Sequence, residues 1–158
     1  MEFTHLNDSG EPGMVDVGAK KTTRREAWAE AALWLPECVV AAFSGNELES
    51  KKGPVMQTAR LAGTMAVKKT PDLIPLCHPI PIEGIDFEHE LEELSGLLTI
   101  RCRVSAVYKT GIEMEALTGV SIATLTVYDM CKAISPEITI QSIRVLHKTG
   151  GKKDYHAE

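Results

Sequence analysis

Aromatic side chains are scarce in this chain, at 5% of its residues. Single-strand nucleic-acid binders stack bases on exposed aromatics, yet the two central strand candidates offer only Phe87 and Tyr108. Net positive charge is missing as well. The formal charge is −5, which excludes a broad electrostatic grip on nucleic acid. Any anion must therefore be held by local clusters of lysine and arginine. No CxxC pair occurs among the four cysteines, Cys38, Cys77, Cys102 and Cys131. Their scatter favours reduced thiols over a disulfide framework or a zinc site. No apolar run reaches the ~18 residues of a membrane span. The opening from Met1 to Gly13 is polar and lacks the pattern of a secretory leader. These absences leave a soluble cytoplasmic protein that binds neither nucleic acid nor membrane.

What is present is globular in character: 158 residues, 44% hydrophobic and 25% charged. A chain of that length buries roughly 70% of its unfolded surface as one domain. It divides into a flexible N-terminal tail (1–13), a single catalytic domain (14–153) and a C-terminal tail (154–158).

The alternation of Met14-Val15-Asp16-Val17 predicts a short strand. Thr22 or Thr23 can cap a helix running to about Leu35, closed by Pro36. Cys38 to Phe43 reads as a compact strand and Ser44 to Gly53 as a loop. Pro54 suits the first turn of a second helix ending near Lys69. Pro71, Pro75, Pro79 and Pro81 then stiffen an irregular connector. Ile82–Leu91 and Leu97–Tyr108 read as paired strands, about Glu113–Ile134 as a long helix, and Ile138–Leu146 as a last strand before a polar tail. From Cys38 onward the order is strand, helix, strand, strand, helix, strand. That order predicts an α+β, ferredoxin-like split βαβ fold: a four-stranded antiparallel sheet with helices packed on one face.

The long helix points most directly to chemistry. From Ala116 to Tyr128 it holds no Asp, Glu, Lys, Arg or His, while Glu113 and Glu115 precede that run and Asp129 and Lys132 follow it. A helix apolar nearly all round is buried, so the charges at its ends are candidates for a partly buried polar site. Each also has a plainer reading. Thr110-Gly111-Ile112-Glu113 matches a capping box, although that leaves Glu115 unexplained. Asp129 and Lys132 face the same way and fit a surface ion pair. The alternative is a carboxylate held by Lys132 and able to exchange protons. His78, in Leu76-Cys77-His78-Pro79, sits in the proline-stiffened loop, where a small-ligand pocket is readily built. Metal binding is not expected there, because no second His or Cys stands at ligand spacing. Lysine repeatedly adjoins glycine, at Lys51-Lys52-Gly53, Lys109-Thr110-Gly111 and Lys148 to Lys153. With Arg24 and Arg25, these suggest phosphate contacts, although no P-loop is present.

Four stretches, GMVDVGAKKTTRREA (13–27), KKGPVMQTARLAGTMAVKKTPDLIPLCHPIPI (51–82), KTGIEMEALTGVSIATLTVYDMCKAI (109–134) and LHKTGGK (146–152), together resemble one family. It is the cyclic pyranopterin monophosphate synthase family of molybdenum cofactor biosynthesis, and the likeness runs from about Thr4 to Lys153. The resemblance implies a lyase that converts 3′,8-cyclo-7,8-dihydroguanosine 5′-triphosphate to cyclic pyranopterin monophosphate, releasing pyrophosphate. It implies a ferredoxin-like fold, no cofactor, and a hexamer built as a trimer of dimers with sites at subunit interfaces. It places the active-site acid/base at Asp129, with Lys132 beside it and Lys52 as a second essential lysine. It places substrate contacts at Leu76, Cys77, His78, Glu113, Met114, Glu115, Arg25 and Lys148. Asp16 matches a family-typical acid whose role stays open. One departure is Lys52-Gly53-Pro54, where the family pattern has Asp in place of Pro54. A non-catalytic module binding a guanine nucleotide or pterin on the same fold is the competing reading.

Overall fold

A twelve-residue strand, β1 (Thr23–Trp34), runs through the middle of the sheet where the sequence suggested a helix. Its burial follows a period of two: Arg25, Ala27, Ala29, Ala31 and Leu33 are buried, and their neighbours are not. Alanine favours helices in isolation, but packing overrides that preference here. Three alanines on the inner face let a helix lie close against the central strand. The computed structural model describes residues 11–157; the remainder of the expected N-terminal tail (1–10) and the final residue lie outside the described residues.

After β1, Pro36 starts a short helix, α1 (Glu37–Val40), in place of the strand expected from Cys38. A short apolar run does not distinguish buried helix from strand, and proline at its head favours the helical turn. The expected loop beyond it is a small sheet of β2 (Phe43–Ser44), β3 (Glu47–Ser50) and β4 (Gly53–Pro54). The helix α2 (Val55–Lys68) follows Pro54, as its sequence predicts. Glu47 caps it from β3, accepting the backbone N–H groups of Met56 at 2.7 Å and Gln57 at 3.1 Å. A single turn, α3 (Thr70–Leu73), opens the proline-rich connector.

The expected strand pair appears as β5 (Gly84–Glu92) and β6 (Leu97–Tyr108), and the long helix as α4 (Glu113–Cys131). Next comes β7 (Thr139–Thr149), longer than anticipated, and its end pairs with β8 (Tyr155–His156) within the stretch read as a tail. The main sheet is therefore five-stranded, in the order β5-β6-β1-β7-β8, with every pairing antiparallel. It has one strand more than the four expected.

Helix α4 lies against β1, β6 and β7, and α2 packs on α4. Small residues bring the two helices together. A methyl on Gly63 would meet the Gly119 carbonyl oxygen at 2.8 Å, and one on Gly119 would meet Val67 Cγ2 at 2.7 Å. The buried run of α4, including Ala116, Val120, Ala123 and Val127, forms the centre of the core with Ile100, Cys102 and Val104 of β6. No described helix is long and apolar enough to cross a membrane.

Candidate functional site

Three strand ends converge on the start of α4. Arg25 leaves β1 buried, and its Nε donates to the Tyr108 carbonyl at the end of β6, at 3.2 Å. Lys148 stands near the end of β7, opposite Ala27 of β1. The chain then turns at Gly150, whose φ of 82° suits glycine. A Cβ there would also run into the Arg24 carbonyl. Thr23 fixes this turn by donating its hydroxyl to the Gly150 carbonyl at 2.7 Å.

The capping box does not form. Ile112 occupies the N-cap position with no side-chain cap bond. Glu113 instead accepts Lys148 Nζ at 2.8 Å, joining helix and sheet through an ion pair. Glu115, one turn-face away, is 2% exposed. Burial, reinforced by the neighbouring Glu113 charge, pushes its carboxyl up to about 7, although its own backbone N–H offsets part of that effect. Two carboxylates two residues apart thus differ in character. Glu113 is ion-paired, whereas Glu115 holds its proton near neutral pH.

Two adjoining clefts meet here. The first, of ≈ 580 Å³, is cationic: Lys20, Arg25, Lys109, Lys148, Lys152 and Lys153 line it, against Glu26, Glu113 and Asp154. The second, of ≈ 780 Å³, gathers Leu76, Cys77, His78, Met114 and Glu115, with Val15 and Val17 across from them. Lys20, Thr110, Gly111, Glu113 and Lys152 border both. Burial and the Glu115 carboxyl push the Cys77 thiol up, so it is poorly suited to act as a thiolate nucleophile. His78 Nε2 lies 2.8 Å from the Val15 carbonyl, which requires that nitrogen to carry the proton. All eight residues assigned to substrate by family resemblance therefore surround one bipartite cavity.

The other three lie elsewhere. Lys52 Nζ and Lys132 Nζ each sit 2.7 Å from an oxygen of Asp129, at the opposite end of α4. Nineteen residues of helix separate the two ends. At 1.5 Å per residue, Glu113 and Asp129 are about 24 Å apart along the axis. Nor is this end buried, as the apolar helix had suggested: the side chains of Asp129, Lys132 and Lys52 are 52%, 53% and 60% exposed. The last turn is two-sided: Val127, Met130 and Cys131 are buried, while Asp129 and Lys132 face solvent. Hydrogen bonds from Lys132 and then Lys52 hold the Asp129 carboxyl down to about 2, while Asp129 in turn raises Lys132. With proline at position 54, Lys52 stands against Asp129. Ser50 anchors the preceding turn by accepting Lys52 N–H at 3.1 Å and donating to the Gly53 carbonyl at 2.9 Å.

Sequence reasoning missed Val15, Val17 and Lys20 as cavity residues. The strand expected at 14–17 is absent; residues 13–17 belong to no helix or strand, and a turn follows at 18–20. The available signal was Asp16 two residues before Gly18, a spacing at which an aspartate folds its own backbone into a turn. Among the described residues, no three His, Cys, Asp or Glu side chains gather as a metal cluster.

Comparison with known proteins bears on the same residues. A family model, described as the MoaC family, matches residues 14–151. A cyclic pyranopterin monophosphate synthase of Xanthomonas oryzae pv. oryzae is 51% identical over 155 residues, covering 98% of this chain and 93% of its own. A synthase of the same description from Pelobacter propionicus is 49% identical over 153 residues, with 96% and 94% covered. A molybdenum cofactor biosynthesis bifunctional protein of Synechocystis is 50% identical over 155 residues, covering 96% of this chain and 45% of its own.

Proposed function

Since the chain belongs to the MoaC family, we propose that it converts 3′,8-cyclo-7,8-dihydroguanosine 5′-triphosphate to cyclic pyranopterin monophosphate. Pyrophosphate is released, and the step stands early in molybdenum cofactor biosynthesis. The activity is that of a lyase. The observation that carries this reading is the bipartite cavity: a cationic cleft opening into one lined by Leu76, Cys77, His78, Met114 and Glu115. A nucleotide-derived substrate has the matching two halves, a polyphosphate and a polar heterocycle.

The residues suit the chemistry. Rebuilding a purine-derived ring into a pterin needs proton donors and acceptors around the heterocycle. Glu115, with its carboxyl at about 7, can give or take a proton at neutral pH. Closing a cyclic phosphate while expelling pyrophosphate needs cations on the phosphates and a base at the attacking hydroxyl. Arg25, Lys148 and their lysine neighbours supply the cations in the cleft. Asp129 is ionised and held between two ammonium groups, so in this arrangement it fits an orienting carboxylate. It becomes a useful base only once substrate phosphate draws the lysines away. Lys132 and Lys52 are placed to donate protons or to neutralise phosphate.

About 24 Å of helix keeps these two sets from meeting around one small substrate within a single chain. We therefore assign the complete site to two copies, one contributing the bipartite cavity and the other its Lys52–Asp129–Lys132 group. This supports a site shared between copies, and the proposal takes the assembly to be a trimer of dimers acting in the cytoplasm. The strand order supports a split βαβ core, formed by β1, β5, β6 and β7, with β8 added at its edge.

The test is incubation of the purified protein with enzymatically prepared 3′,8-cyclo-7,8-dihydroguanosine 5′-triphosphate, with both products followed by mass spectrometry. Equimolar pyrophosphate and cyclic pyranopterin monophosphate are expected. Bound but unchanged substrate would instead establish a binding module.

A further inference from the structure

The segment just before β1 crosses the heterocycle cavity without belonging to the sheet. Residues 13–17 carry no regular structure, yet Val17 is 8% exposed and Val15 and Lys20 line the cavity. Side chains supply the ties that keep this strap against the body. His78 Nε2 reaches the Val15 carbonyl at 2.8 Å, and Lys109 Nζ donates to the Gly18 carbonyl at 2.6 Å. Both partners come from the body of the domain: His78 from the proline loop and Lys109 from the turn before α4.

The strap's shape has its own cause. Asp16 Oδ1 accepts the Gly18 N–H at 2.7 Å, and the Lys20 N–H closes a turn on the Val17 carbonyl at 3.1 Å. The turn is tight: a methyl on Gly18 would sit 3.1 Å from Asp16 Oδ1. An aspartate that folds its own backbone two residues on is a local turn device. Here that turn aims the Gly18 carbonyl at Lys109 and brings Val15 and Val17 to the cavity. The carboxylate of Asp16 is thereby turned onto its own backbone rather than into the cavity.

We propose that Asp16 and Lys109 are positioning residues that fold and clamp residues 15–20 as one wall of the substrate cavity, without themselves exchanging protons with substrate. The identity of the substrate rests on the reading above; the strap itself does not. Asp16 shapes the turn, Lys109 holds its apex, and the result is an apolar wall facing Leu76 and Met114. With Nε2 committed to Val15, His78 keeps Nδ1 for a ligand in its neutral form.

Asp16→Asn and Asp16→Ala separate the two roles. Asparagine keeps an oxygen that can accept the Gly18 N–H but has no titratable proton. A positioning role predicts kcat and KM within about twofold of wild type for Asp16→Asn. It predicts a KM about tenfold higher for Asp16→Ala, the size expected for one lost hydrogen bond, with the pH profile unchanged in both. A proton-transfer role predicts that both variants lose kcat by about a hundredfold or more, and that result overturns the proposal. Tryptic cleavage after Lys20 and Lys21, located by mass spectrometry, reads the strap without any turnover. Asp16→Ala and Lys109→Met are expected to be cut several-fold faster than wild type, with thermal midpoints unchanged. Equal cleavage rates overturn the clamp. If wild type fails to turn over its substrate, the assigned reaction falls, while the proteolysis result still decides the strap.

Discussion

Replacing Glu115 by glutamine removes a proton-binding group from the first turn of α4 while keeping its size. The carboxyl is held at about 7 in the folded protein against an ordinary 4.5, chiefly by burial. An acid with a raised folded pKa binds its proton more tightly when native. Below about pH 4.5 both states are protonated, and the group leaves stability unchanged. Between pH 4.5 and 7 the unfolded chain ionises first, so stability falls as pH rises; above 7 the loss is complete. At about 1.4 kcal/mol for each tenfold change in the protonation equilibrium, the gap between 4.5 and about 7 corresponds to about 3 kcal/mol at pH 8. Glutamine abolishes this slope. Once the constant effect of the amide is subtracted, the Glu115→Gln variant should therefore exceed wild type by under about 1 kcal/mol at pH 5 and by about 3 kcal/mol at pH 8. Urea unfolding followed by circular dichroism, at one fixed protein concentration across pH 5 to 8, measures the difference. Stability curves for the two proteins that run parallel over that range would refute the reasoning, since they would show that Glu115 titrates alike folded and unfolded.

At the other end of α4, Asp129→Ala and Lys132→Ala should each reduce turnover by about a thousandfold. Both side chains are half-exposed, so thermal midpoints should stay unchanged; full activity in either variant removes them from the chemistry. Gly63→Ala places a methyl 2.5 Å from Phe87 Cζ and 2.8 Å from the Gly119 carbonyl oxygen. That overpacking should lower stability by about 1–3 kcal/mol in denaturant titrations, and an unchanged midpoint would show that the helices part freely. Treatment with a chelator, followed by removal of chelator and metal, should leave activity intact. Loss restored by a divalent ion would end the metal-free account.

How much of this was legible in the sequence depended on whether local pattern and packing agreed. The segment 97–108 alternates so regularly, through Ile100, Cys102, Val104 and Ala106, that its strand could be read directly. α2 and α4 were equally plain, one from its proline and the other from its unbroken apolar run. β1 was not, because Ala27, Ala29 and Ala31 combine strand spacing with helix-forming residues. Only the need to seat α4 against the sheet decides between the two. The cluster at Leu76, Cys77 and His78 was recognisable as a rigid loop between prolines, and Glu113 and Glu115 as charges bordering a buried helix. The strap was obscure, since Val15 and Val17 mimic a strand and Lys109 ties down Gly18 from 91 residues away. Least visible was the separation of the two groups of site residues. Motif reading places Glu113 and Asp129 in one site, and the family resemblance puts such sites at subunit interfaces. The rise of the helix is the physical reason for proposing that a second copy joins them.

That joining is tested most directly by mixing two inactive proteins. Asp129→Ala lacks the acid at one end of α4, and Lys148→Ala lacks the cation at the other. In a two-fold dimer, a mixed pair carries one site with both defects and one with neither. Purified separately, each variant should be inactive. Dissociated together and reassembled at equal concentrations, they should regain about a quarter of wild-type turnover. Mixed oligomers that form, as shown by native mass spectrometry, yet remain as inactive as either parent would place every site residue within a single chain and contradict the account.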